Sequence, residues 1–509
     1  MARPQPMRPA LILALALVAT STASTRTQTP PTGILIKGGT VIDGTGAPRR
    51  SADVRISGDT IVEVGPNLTA KPGDAVIDAA GRVVTPGFID MHSHADRGLD
   101  DHPDAASQIQ QGITLSLVGQ DGGGDLPISD FFERYSRVHP AMNVMTSVGH
   151  GAVRGVVLGG DFKRAATPAE IETMKALVDR AMKDGAVGLS SGLEYDPGFY
   201  STIDELAALA AVIKPYGGFY SSHVRDEEND VLAAWSEAIE IGRRAGVPVE
   251  ISHMKLASKP VWAQAGKALA LVDAARKRGQ DVTGDWYPYQ YWQSSMYVLI
   301  PDRNFENTAE WQKGLDEIGG AQNVLITNYR PDPSWDGHTV AELAAGQHLD
   351  PAALIVQMVK TAGPDIGIIG TAMTEEDMAA ILASPTTLIC SDGGLSGRHP
   401  RGYGAFPRVL ARYVREKKVV PLEEAIAKMT GRSAKRLGLT DRGVVAVGRK
   451  ADLVVFDPET IADRGTPAAP AQSPVGIDLV VVNGEVVLDH GVETPARPGR
   501  ALKRGGLAN

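Results

Sequence analysis

Short apolar runs alternate with longer stretches of helical character through the middle of the chain. The runs fall at residues 113–118, 143–148, 186–190, 218–222, 247–252, 282–286 and 386–391. Their length and their Val, Ile and Leu content suit strands of a parallel sheet whose faces are covered by helices. The stretches between them predict helices over 168–183, 203–214, 230–245 and 261–278. One earlier apolar run, broken by Pro86-Gly87, leads into His92. With it the strands number about eight, the count of an α/β fold of the (β/α)8 TIM-barrel type.

Both ends of the chain read differently. Residues 33–84 suggest short strands separated by Gly and Pro, with 35–44 as one hairpin-like unit. The far end repeats the pattern at 452–456, 478–482 and 485–488, and Asn483-Gly484 between apolar runs signals a two-residue hairpin. The expectation is a small β-sandwich domain built from residues 24–84 and 441–509, with the barrel over 85–440 inserted between its halves. Within the barrel, about 290–370 is too long for a simple connection. Its Trp311, Trp335, Asp336, Gly337 and His338 suggest a wall or lid near the barrel mouth.

Residues 1–23 carry an address. Arg3 and Arg8 precede an apolar run from Leu11 to Ala19, and small residues Thr20 to Ser24 follow. That order is a secretory signal peptide, which implies a periplasmic or secreted protein with no integral membrane segment after cleavage. The net charge of −9 argues against nucleic-acid binding and offers no basic face to anionic lipid. The single cysteine, Cys390, has no partner for an internal disulfide.

Polar residues stand at nearly every strand's C-terminal end: His92 and His94, Asp121, His150, Ser190, His223, His253, Asp285 and Asp392. That face carries the catalytic groups of such barrels. His92 and His94 are two residues apart, so in an extended segment their imidazoles share a side and converge on one point. A lone histidine at a strand end is ordinarily a hydrogen-bonding residue. Jointly, His92, His94, His223, His253 and Asp392 offer four nitrogens and a carboxylate, a donor set suited to one or two Zn²⁺ ions or another divalent metal. A metal in such a site lowers the pKa of a bound water and polarises a carbonyl, with Asp392 placed to take the proton. The implied reaction is hydrolysis of an amide or a related bond.

Several longer motifs carry a resemblance. They are Pro86-Gly87-Phe88-Ile89-Asp90-Met91-His92-Ser93-His94, Gly149-His150-Gly151-Ala152-Val153-Arg154, His223-Val224-Arg225-Asp226-Glu227 and Ile251-Ser252-His253-Met254-Lys255. Asp285-Trp286-Tyr287-Pro288-Tyr289, Ser391-Asp392-Gly393 and the stretch from His399 to Phe406 complete them. From Leu35 to Leu488 the chain resembles the amidohydrolase superfamily, and within it the D-aminoacylases (N-acyl-D-amino-acid deacylases). By that resemblance His92 and His94 hold one metal, His223 and His253 the other, and Asp392 is general base and metal contact. Lys255 and Tyr287 match positions that grip a substrate carboxylate, with Ser294 or Ser295 assisting. His150 and His399 have no forced role and stay candidates either for supporting a ligand from behind or for touching the substrate, and Arg398 and Arg401 are further candidates for substrate contact.

The chain departs from the family at the anionic bridge. Typical D-aminoacylases carry a cysteine in a Gly-Asn-Cys-Gly setting, whereas this chain reads Gly119-Gln120-Asp121-Gly122. Asp121 is expected to supply the bridge, exchanging a soft ligand for a hard one. Other superfamily members bridge with a carboxylated lysine ending the fourth strand. Residues 188–194 contain no lysine, which leaves Glu194 as the second candidate. The expected partner is a small molecule with a free carboxylate; the oligomeric state stays open. Rival readings are a dipeptidase acting on peptides with a C-terminal D-residue, a cyclic-amide hydrolase of the dihydroorotase or hydantoinase kind, and a non-catalytic binding protein on the same fold.

Overall fold

The computed structural model describes residues 33–504, so the export signal expected at 1–23 lies outside the described residues. Eight segments of the middle region run parallel: β1 (Phe88–Asp90), β2 (Ile113–Val118), β3 (Asn143–Thr146), β4 (Gly188–Gly192), β5 (Phe219–His223), β6 (Val249–Ile251), β7 (Val282–Trp286) and β8 (Thr387–Ile389). β3, β2 and β1 form one sheet. Val148–Gly149, which continues β3 after one residue, opens a second sheet that proceeds through β4, β5, β6, β7 and β8.

Hydrogen bonds link the two sheets at both edges. On one side Ser147 N donates to Val118 O (3.1 Å) and Val187 N to Thr146 O (2.9 Å). On the other, Met91 N donates to Ile389 O (3.4 Å), Asp392 N to His92 O (2.8 Å), and Ser93 bridges Gly393 in parallel. The run of strands therefore returns from β8 to β1. Nearly every residue of these strands is buried, as expected for apolar runs covered on both faces.

Helices Pro168–Asp184, Ile203–Val212, Val231–Ala245 and Ala265–Lys277 follow strands, within a few residues of where the pattern put them. The first has a start legible in sequence: Thr167 Oγ1 accepts from Glu170 N, Glu170 accepts from Thr167 N at 2.7 Å, and Pro168 occupies the first turn.

The chain ends combine into two further sheets. Seven strands run in the order Val492–Glu493, Glu485–Asp489, Ile477–Val482, Leu453–Phe456, Val83–Pro86, Thr40–Val41, Arg50–Ser51. Four more run Thr60–Gly65, Asp53–Ser57, Gly33–Lys37, Asp74–Asp78. They share an apolar cluster separate from the main core, including Ile36, Val54, Val84, Leu453 and Val481. Asn483 and Gly484, at φ 46° and 83°, make the expected hairpin turn. Residues 35–44 do not form a hairpin. Gly33–Lys37 pairs with 53–57 and 74–78, and Thr40–Val41 joins the other sheet, because Gly38 at φ 75° turns the chain from one layer to the other.

The long connection after β7 has a structure of its own. Tyr291–Ser295, Gly367–Thr371 and Val324–Asn328 form an antiparallel sheet, packed with helices Thr308–Glu317, Val340–Gln347 and Pro351–Ala362. Trp311 is buried within this unit, and Trp335 stacks on Tyr329 at 4.9 Å.

Candidate active site

The C-terminal ends of the parallel strands converge on one cluster. His92 and His94 follow β1, Asp121 follows β2, His223 ends β5, His253 follows β6 and Asp392 follows β8. Three of these residues sit where the backbone turns sharply: φ is 55° at Asp121, 34° at His253 and 51° at Asp392. Left-handed backbone at non-glycine residues concentrates where side chains are aimed at a cost to local stability. The Asp121 turn is also tightly docked. A Cβ on Gly192 would lie 2.3 Å from the Asp121 carbonyl oxygen, so only glycine lets the end of β4 approach it.

Asp121 occupies the centre. Its Oδ2 lies 3.2 Å from His94 Nε2, while Oδ1 lies 3.3 Å from His92 Nε2, 3.5 Å from His253 Nε2 and 3.9 Å from His223 Nδ1. Asp392 Oδ1 is 3.3 Å from His94 Nε2 and 3.6 Å from His92 Nε2. Two sets of potential ligand atoms result: His92, His94, Asp121 and Asp392 make one, Asp121, His223 and His253 the other, with all atoms of a set within 4.8 Å. Asp121 is common to both. Glu194 falls elsewhere, in a set with His223 and Glu227 that reaches neither His92 nor His94.

Charge around the cluster is arranged to keep two carboxylates ionised. Burial pushes the Asp121 carboxyl up, but His92, His253 and His94 outweigh it and hold the group well below the usual range. Burial acts the same way on Asp392 and is overcome chiefly by Arg401, whose Nη1 is 2.6 Å from Oδ2. Glu194 goes the opposite way. Burial, reinforced by neighbouring Glu227, pushes it up to about 8.

The cluster forms the floor of a cavity of about 780 Å³. Lys255, Tyr287, Ser294, Arg398 and His399 line it, together with the insert residues Thr327, Asn328 and Arg330. Tyr287 is buried with its hydroxyl unpartnered, and Lys255 Nζ and the Arg401 guanidinium lie 5.7 Å and 5.0 Å from its ring centre. Lys255 is not free: Nζ donates to both oxygens of Glu227 at 2.8 Å and lies 2.7 Å from His253 Nδ1. Ser294 Oγ donates to the Tyr195 hydroxyl at 3.3 Å, and Ser295 to Asp365.

Of the two roles open to His150, contact with the substrate is the one to correct. His150 does not line the cavity; it starts the helix His150–Leu158, is fully buried, and places Nε2 2.9 Å from Glu205 Oε1, which Arg154 also binds. Its partner lies 55 residues away, so no local pattern distinguished this buried ion network from a substrate contact.

Residues 75–291 and 337–488 match the Amidohydrolase family. The N-acyl-D-glutamate deacylase of Alcaligenes xylosoxydans xylosoxydans is 37% identical over 497 residues, which cover 92% of this chain and 96% of that protein. The chain belongs to the D-aminoacylase family of the amidohydrolase superfamily. The D-aminoacylase of the same organism is 36% identical over 504 residues, 94% of this chain and 99% of its own. A solved N-acyl-D-glutamate deacylase from Bordetella bronchiseptica, complexed with zinc and a phosphonate mimic of the tetrahedral intermediate, is 34% identical. It covers 92% of this chain and 99% of its own, with a TM-score of 0.83.

This family member's donor set fits a metal. His92 is fully buried with neither ring nitrogen hydrogen-bonded, and Asp121 Oδ1 is likewise buried and unpartnered. Unsatisfied groups of that kind cost free energy unless something coordinates them. The sequence reading gave no role to Glu227 or Glu228, which stand in a charged run that resembles a solvated loop. The available signal was spacing: Glu227 lies four residues after His223 and, like Glu228, is buried.

Proposed function

We propose that this protein hydrolyses the amide bond of N-acyl-D-amino acids, releasing a carboxylate and a free D-amino acid, with one or two divalent ions, zinc foremost. The observation that carries the reading is the position of Asp121, shared between two histidine groups on the floor of a cavity whose wall includes cations and a free tyrosine hydroxyl. The hydrogen bonds joining β8 to β1 support closure of the eight strands into a (β/α)8 barrel, with the terminal sheets, within residues 33–84 and 441–504, as a small β-sandwich domain. An export signal at 1–23 would deliver the protein to the periplasm or the exterior. Among the described residues no helix is long and apolar enough to cross a membrane.

In this reading His92, His94 and Asp392 would hold one ion and His223 and His253 the other, with the Asp121 carboxylate within reach of both. When bound, the metal would lower the pKa of a water and polarise the acyl carbonyl. Asp392 would take the proton of the attacking water and deliver it to the departing nitrogen, while Arg401, beside Oδ2, keeps the carboxylate ionised and oriented. Tyr287 donates its free hydroxyl to the substrate α-carboxylate, and the Lys255 and Arg401 charges beside its ring favour an anion there. Arg398, 3.9 Å from Asp336 and partly exposed, lines the same cavity.

The test is amide hydrolysis by zinc-loaded protein on paired N-acetyl-D- and N-acetyl-L-amino acids, with Xaa-D-Xaa dipeptides and hydantoins alongside. D-selective release from the N-acetyl substrates supports the reading. Activity confined to dipeptides or cyclic amides replaces it with the corresponding rival, and no turnover with zinc, manganese or cobalt removes it.

A further inference from the structure

The two histidines beside Asp121 on the β5–β6 side each meet a buried carboxylate with the ring nitrogen that faces away from it. His223 points Nδ1 toward Asp121 and His253, and its Nε2 lies 2.8 Å from Glu194 Oε2. His253 points Nε2 toward Asp121, and its Nδ1 lies 3.1 Å from Glu227 Oε1. The β1 side differs: His92 Nδ1 has a carboxylate oxygen, Asp285 Oδ1, only at 4.0 Å, and that oxygen already accepts from His253 N at 2.7 Å.

Glu194 is held from several directions. Arg303 of the insert donates to its backbone carbonyl at 2.8 Å and pairs with Asp196 at 3.3 Å. Its carboxyl neighbours that of Glu228, whose Oε2 accepts from Glu227 N at 3.1 Å and whose backbone carbonyl accepts from Ser258. A neutral imidazole has one N–H and one lone pair, and the partner of the outer nitrogen decides which nitrogen keeps the lone pair. Such outer partners fix ring orientation and tautomer in metal sites, and their loss typically costs about 10–100-fold in metal affinity.

We propose that Glu194 is a positioning residue: it accepts the Nε2 proton of His223 and so presents the Nδ1 lone pair to the metal beside Asp121. This assigns Glu194 a place outside the ligand set instead of the bridge, and it rests on the reading of His223 as a metal ligand. The outer nitrogen of His253 is placed differently: Lys255 Nζ, held by both oxygens of Glu227, lies 2.7 Å from Nδ1, closer than Glu227 itself.

The test is zinc affinity of the full chain, measured by competition with a chromophoric chelator, and the visible spectrum of the Co²⁺-loaded protein. Circular dichroism of each metal-free variant confirms that it is folded. Glu194→Ala should weaken zinc about 10–100-fold and alter the Co²⁺ spectrum. Glu194→Gln keeps a carbonyl acceptor and should stay within about three-fold of the parent. Equal large losses in both variants would make Glu194 a direct ligand and overturn the proposal. Parent-like affinity in a folded Glu194→Ala would overturn it too, by reducing the contact to packing. If the parent itself binds neither zinc nor Co²⁺, the metal reading fails beneath it, an outcome distinct from the others because it appears before any substitution.

Discussion

Two buried polar clusters in this protein are built on opposite terms. Where the terminal sheets meet β3, Arg442 Nη1 donates to Asp452 Oδ2 at 2.5 Å and Asn483 N donates to Asp452 Oδ1 at 2.7 Å. The Asn483 amide reaches Asn143 Oδ1 at 2.8 Å and the Pro498 carbonyl at 2.8 Å. Donors and acceptors are matched there, and the chain ends are tied to the parallel strands. At the other cluster His92, Asp121 Oδ1 and the Tyr287 hydroxyl lack partners, and Asp121, His253 and Asp392 occupy positive φ. Matched polar groups specify a fold. Unmatched groups on a strained backbone suit coordination by a metal or substrate, and stability is expected to have been exchanged there for chemistry.

The largest effect should separate the clusters by what they govern. Asp392→Asn keeps the shape and removes the proton acceptor, so turnover should fall about 10³-fold or more, within the range for losing a general base and ligand contact. Its melting temperature should fall as well, because buried Arg401 loses its ionic partner, so the rate is read on the folded fraction. A folded variant that retains a tenth of the parent's rate would show that Asp392 is not the base. Arg442→Ala should cost stability alone. Removing one partner of a buried ion pair costs about 3–5 kcal/mol, because Asp452 is left charged and unpaired. Denaturant unfolding should show that loss, while KM and kcat of the folded fraction stay unchanged. An altered kcat with normal stability would erase the distinction between the two clusters.

Much of this was legible in the sequence, for physical reasons that differ by element. β2 was readable because buried parallel strands are rich in Ile, Leu and Val, and the turn at Asn483-Gly484 because few residues tolerate its backbone. The convergence of His92, His94, His223, His253 and Asp392 followed once strand ends were located, since one face of such a sheet gathers them. The roles of neighbours were not readable in this way. His150 and Glu205, or Glu194 and Glu228, meet across tens of residues through tertiary packing, and a histidine has the same letter whether it faces a cavity or an ion network. Lys255 illustrates the limit: its position at the cavity was inferable, whereas its clamp by Glu227 was not.

The smallest predicted effect concerns the opposite end of β8 from Asp392. Lys428, on the helix Leu422–Met429, is fully buried; its Nζ donates to the Ser384 carbonyl and, at 3.0 Å, to the Thr387 carbonyl that begins the strand. Burial lowers its pKa to about 8, and Arg432 adds to this, while Glu424 at 3.7 Å opposes it. A neutral amine has two N–H groups, enough for both carbonyls, so deprotonation leaves the contacts intact. The unfolded chain holds its proton up to the ordinary lysine value, near 10.4. Between about 8 and that value the unfolded state therefore binds more protons than the native one, and stability must rise with pH, by at most about 1.4 kcal/mol per unit. Below about 8 both states are protonated and the contribution is flat. Other groups titrate in this range as well, so the quantity to measure is the difference between the parent and Lys428→Met from pH 7 to 10. The parent should gain on the variant as pH rises through 8. Parallel curves would mean that Lys428 keeps its charge in the fold, and that this buried position, like the Arg442 pair, is matched by charge and not by hydrogen bonds alone.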